Sequence, residues 1–113
     1  MSKFDEAMSK YREQLDAIIG EHDDALLTQI TKNLGPSIYL EDASRVSCSD
    51  DQEKFRVKTN FLIGKLGCEE TTELDMYIDT VCNQMGSSNR NKYRAVMYYL
   101  LVVQLDMAHK IMN

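Results

Sequence analysis

The chain has 113 residues, 43% hydrophobic and 27% charged, with one proline, five glycines and a formal net charge of −5. These values fit one folded domain over residues 1–113 with a core of its own, and they exclude a disordered, repetitive or linker-rich chain. The negative charge disfavours indiscriminate binding to nucleic acid or anionic membrane.

The charge is uneven along the chain. Residues 1–53 hold 12 acids and 5 bases, whereas residues 54–113 hold 6 acids and 8 bases. Such halves either attract each other within one fold or present a bipolar surface for self-association. Cysteines stand at 48, 68 and 82, an odd count with no two separated by only two residues. That spacing speaks against a disulfide framework and against a C-x-x-C redox or zinc motif, so reduced thiols in a cytosol are expected. The opening residues Met1 to Glu6 contain no apolar run of the kind a signal peptide has.

The first predicted helix covers 2–19. Phe4, Met8, Tyr11, Leu15 and Ile18 fall on one stripe, which is either a core face or a two-heptad seam between copies. The second covers 23–34, with Asp23 and Asp24 at its positive end and Leu26, Leu27, Ile30 and Leu34 inward; Gly35-Pro36 stops it. Residues 36–48 are irregular, but Ile38-Tyr39-Leu40 is too apolar for a free loop and implies a helical turn or an extended piece pinned to the core. Ser49 to Gln52 reads as a capping box for a third helix over 50–66 that buries Phe55, Phe61, Leu62, Ile63 and Leu66. Thr71 or Thr72 caps a fourth helix over 72–85, with Leu74, Ile78, Val81 and Met85 inward and Gly86 as its stop.

A fifth helix is predicted over 89–111. Its middle, Ala95 to Val103, is apolar nearly all round, the pattern of a helix surrounded by others or of a buried strand. The run is about half of the ~20 residues that a membrane-spanning helix needs. The preceding cap and the stripe continuing through Met107 and Ile111 favour helix, and no second strand is in view to pair with. The fold class is therefore all-α: a compact array or bundle of about five helices around a hydrophobic C-terminal helix.

The one local rule broken lies at Gly86 to Arg94. A glycine, two serines and an asparagine precede Arg90, Lys92 and Arg94, placing cations where a helix start normally carries acids. Ser87, Ser88, Asn89, Arg90, Lys92 and Arg94 form the candidate anion- or partner-binding site, through hydroxyls, first-turn amides and cations. The competing reading is that the cations pair with the acidic N-terminal half. Lys54, Arg56, Lys58 and Lys65 make a second basic stripe, read as a solvated face because no nucleic-acid motif accompanies it. His22-Asp23-Asp24 reads as cap and dipole complement, since adjacent helical residues do not converge on one ion. Cys48 is a reactive thiol if exposed, and Cys82 reads as inert packing beside Val81.

Gly35 to Tyr39, Asn60 to Gly67 and Met85 to Val96 together resemble a family of small bacterial proteins known only as a domain of unknown function. The resemblance implies a bacterial, cytoplasmic, mainly helical domain, and it brings no reaction, cofactor or catalytic residue. No nucleophile with a base and an orienting group is visible, so no catalytic residue, metal or cofactor is expected and the chain reads as a non-enzyme. The expected function is a protein-interaction or self-associating domain, its partner a protein or a second copy. The alternative is binding of an anion, phosphate or nucleic-acid backbone through Ser87–Arg94.

Overall fold

The computed structural model describes residues 2–112; Met1 and Asn113, the ends of the expected 1–113 domain, lie outside the described residues. Among the described residues the elements are α1 (Lys3–Ile19), α2 (Asp24–Leu34), a 3-10 turn (Gly35–Tyr39), α3 (Asp51–Arg56), a π-helical segment (Val57–Ile63), α4 (Thr72–Met85), α5 (Arg94–Gln104) and α6 (Ala108–Met112). They contain no β-strand, so the architecture is all-α.

Local chemistry explains the starts and stops. Ser2 Oγ accepts from the Asp5 amide at 3.1 Å, and Gly20, at φ +81°, ends α1. Asp23 Oδ1 accepts from the Leu26 amide at 3.2 Å to cap α2. The turn between α1 and α2 is tied by Arg12 donating twice to Asp24, at 2.8 and 3.1 Å, and by the His22 ring bridging Asp16 and Asp24. The Arg12 hydrogen bonds and then His22 hold the Asp24 carboxyl below the usual range.

Residues Ala95 to Val102 of α5 are buried without interruption. Helices α1, α2 and α4 pack on that segment, so each needs only one apolar stripe. Met8, Tyr11 and Leu15 of the α1 stripe are consumed by this core. The Tyr99 hydroxyl accepts from the Asp23 amide at 2.7 Å and fixes the start of α2 to the central helix.

Tyr11 is buried against Tyr93, ring centroids 5.1 Å apart. Burial, then the Tyr93 and Tyr39 phenols, pushes its pKa up to about 12 from 10.0. A pKa raised on folding contributes stability that is complete below about pH 10 and is lost as pH rises towards 12. Tyr11→Phe is expected to lose less stability than the parent between about pH 9 and 11.5 in urea titrations. Equal losses would show that the phenol does not carry the effect.

Two predicted helices are shaped differently. The third is cut into α3 and the π segment, and Asp50, not Ser49, caps it by accepting from the Gln52 amide at 2.9 Å. A π turn changes the angular step, so the inward face drawn with a 3.6-residue period shifts. Val57, Phe61, Leu62 and Leu66 are buried, while Phe55 is 59% exposed and Ile63 half-buried. The fifth starts at Arg94, breaks at Leu105–Met107 and resumes as α6. Asp106 takes φ +54° at the break, a conformation that aspartate tolerates better than most residues. Ile111 of α6 is buried, and α6 packs on α2.

Candidate functional site

Residues 86–93 are not the first turn of a helix. Asn89 donates its backbone amide to Gly86 O, and its Oδ1 accepts from the Asn91 amide at 2.9 Å, a side-chain turn that competes with helix. Gln14 Nε2 donates to Asn91 O at 2.7 Å and holds the loop against α1. The next residues run extended beside the irregular segment 41–50. The Val46 amide donates to Lys92 O and the Arg94 amide to Ser44 O, each at 2.8 Å, forming an isolated antiparallel bridge between Arg45 and Tyr93. The backbone groups that would have opened the helix are thus spent on the neighbouring segment.

This pairing sorts the candidate residues. Ser87, Ser88 and Arg90 are exposed, and Asn89 is half-buried. Lys92 Nζ donates to Asn89 O at 2.6 Å within its own loop. Arg94 faces the interior: Nε donates to Ala43 O at 2.9 Å, and NH2 donates to Arg45 O and Glu53 Oε1, both at 3.2 Å. Arg94 therefore satisfies the internal-pairing reading, with a carboxylate from the acidic half of the chain. Arg90 has no ion pair among the described residues, and Lys92 has only the carbonyl.

Segment 41–50, the loop after α4 and the adjoining faces of α3 and α4 enclose an open, polar cleft of about 1470 Å³. Most of its charges are matched: Arg45 with Glu41, Lys54 with Asp79, and both Arg56 and Arg94 with Glu53. Lys58 pairs with Asp75 nearby, so much of the second basic stripe is neutralised by acids of α4. Arg90 and Lys92, with the acids Asp42 and Asp50, remain on the lining without an ion pair among the described residues, and Arg45 Nε is buried with no hydrogen-bond partner among them.

The cysteines correct the expectation of reduced thiols. Cys48 and Cys82 form a disulfide across 34 residues, Cα atoms 5.9 Å apart, and both line the cleft. Spacing rules recognise short motifs and even frameworks; a single long-range bridge depends on segment 41–50 lying across α4, which no local pattern announces. Cys68 is the free thiol; burial raises its pKa, and its Sγ lies 3.6 Å from Met107 Sδ.

No group of three or more metal-competent side chains gathers among the described residues. No helix among the described residues is long and apolar enough to cross a membrane. The family described as "Protein of unknown function (DUF2853)" matches residues 10–109, and the chain belongs to it. No curated protein matches the chain.

Proposed function

We propose that this member of the DUF2853 family is a non-enzymatic binding domain whose cleft takes an acidic segment of a protein partner, with Arg90 and Lys92 as its recognition cations. One observation carries the reading. Inside a cleft where the other bases have carboxylate partners, these two sit exposed or half-exposed with none among the described residues. A partner carboxylate would complete the pairing, and the serines beside them offer hydroxyl donors. Arg94 is a structural member of this proposal because its donors are already committed. The bacterial, cytoplasmic setting implied by the family resemblance belongs to the same proposal. Self-association through the α1 stripe has little support, since the middle of that stripe is core.

A decaglutamate peptide is the probe. Binding read by calorimetry should weaken steeply between low and physiological salt, and Arg90→Ala with Lys92→Ala should weaken it about five- to tenfold, the scale of two rim ion pairs. Inorganic phosphate or a single-stranded oligonucleotide binding more tightly through the same residues would replace the acidic segment with a phosphate ligand. No salt-dependent binding of any of the three would end the proposal.

A further inference from the structure

We infer that the cavity between α2, the π segment, α5 and α6 is a binding site for a small amphipathic acid. The cavity measures about 190 Å³. That is below the ~300–1,000 Å³ of pockets for drug-sized ligands, so its occupant is fragment-sized. Ile30 and Leu34 of α2, Phe61 of the π segment and Ile111 of α6 supply apolar walls. Phe61 lies flat on Tyr98, ring centroids 3.7 Å apart and planes 7° from parallel, which gives one wall a stacked aromatic pair. Such walls suit a ring or a branched hydrocarbon.

The rim gives the ligand its charge. Among the described residues Lys65 is the only ionic side chain lining the cavity, and no side-chain carboxylate lines it. Lys65 has no ion pair among the described residues, and the Asn60 side chain has no hydrogen-bond partner there. An ammonium and a primary amide at the mouth of an apolar cavity match a carboxylate.

The backbone is built to bring these two residues together. Five residues apart on an α-helix lie roughly 140° apart around the axis. The wider π turn, with Gly64 N–H donating to Thr59 O at 3.0 Å and Leu66 N–H to Phe61 O at 2.9 Å, brings such residues towards one face. Gly64 is what this turn requires: a Cβ there would stand 2.8 Å from Asn60 O and 3.1 Å from Thr59 O. The π geometry, a frequent mark of functional sites, thus accounts for the Asn60–Lys65 stretch of the family-like motif that the cleft leaves largely unused.

The test is a titration of the 15N-labelled protein with phenylacetate, and in parallel with uncharged 2-phenylethanol. Saturable shifts are expected at the amides of residues 30–34 and 60–65. Lys65→Gln, a change at an exposed position, should weaken phenylacetate about threefold and leave 2-phenylethanol unchanged. Ile111→Phe should fill the cavity and abolish both. Arg90→Ala with Lys92→Ala should change neither, which keeps this site separate from the cleft. Absence of saturable shifts, shifts confined to the Arg90–Lys92 rim, or equal weakening of both probes by Lys65→Gln would overturn the assignment.

Discussion

Cys82→Ala should lower the unfolding free energy by about 3–4 kcal/mol and the melting temperature by about 10–15 °C, and dithiothreitol should do the same to the parent. The magnitude follows from loop closure. The Cys48–Cys82 bridge spans 34 residues, and removing it returns that conformational freedom to the unfolded chain. The folded state loses the packing of one sulfur atom as well, because Cys82 is buried in the core cluster. Thiol counting under denaturing, non-reducing conditions should find one reactive cysteine, Cys68, and three after reduction. Cys68→Ser serves as the control and should change reduction sensitivity not at all. Three free thiols in protein purified without reductant, or a melting temperature indifferent to dithiothreitol, would contradict the bridge.

What the bare sequence made visible, and what it did not, divides along one physical line. Helix α4 falls at 72–85 as predicted, because the acids Glu73 and Asp75 and the terminal Gly86 are local signals, although the Thr71 side chain at its start makes no capping hydrogen bond. The burial of Ala95 to Val102 was equally legible, since an uninterrupted apolar run leaves few alternatives. The π turn was not, because periodicity analysis assumes one angular step, and Gly64 inside an apolar motif does not show whether it permits a turn or ends one. The candidate site shows the same division. The cations at 90, 92 and 94 were conspicuous, but their fates were set by segment 41–50, which has no periodicity of its own. Backbone pairing with that segment moved the start of α5 to Arg94, turned the Arg94 side chain inward and left Arg90 outside. The small cavity was invisible for a related reason: its walls come from four separated elements, and its lining residues are near neighbours in sequence only within α2 (Ile30, Asn33, Leu34) and around the π segment (Asn60, Phe61, Lys65).

Arg94→Met should cost about 3 kcal/mol, more than any other substitution among the cations lining the cleft. The guanidinium and Glu53 are both largely withdrawn from water, with 16% and 17% of their side-chain surfaces exposed. Breaking such a pair from one side leaves an under-compensated carboxylate and costs ~3–5 kcal/mol in fully buried cases. Here Arg56 still reaches Glu53 at 3.0 Å, which places the expectation at the low end. The carbonyls of Ala43 and Arg45 also lose their donors, and those two contacts join the Arg94 amide–Ser44 O bond in fastening segment 41–50 to α5. Arg94→Lys should recover only part of the loss, because one ammonium cannot serve three divergent acceptors as a planar fork does. Since the disulfide fastens the same segment to α4, the two losses should couple: Arg94→Met with Cys82→Ala should deviate from additivity by more than ~0.5 kcal/mol. Hydrogen exchange locates the effect, as the amides of Val46 and Arg94, bonded to Lys92 O and Ser44 O, should lose protection first. An Arg94→Met protein within about 1 kcal/mol of the parent, with both amides still protected, would mean that the bridge between segments 44–46 and 92–94 holds without its guanidinium, and Arg94 would rejoin Arg90 and Lys92 as a residue free to meet a partner.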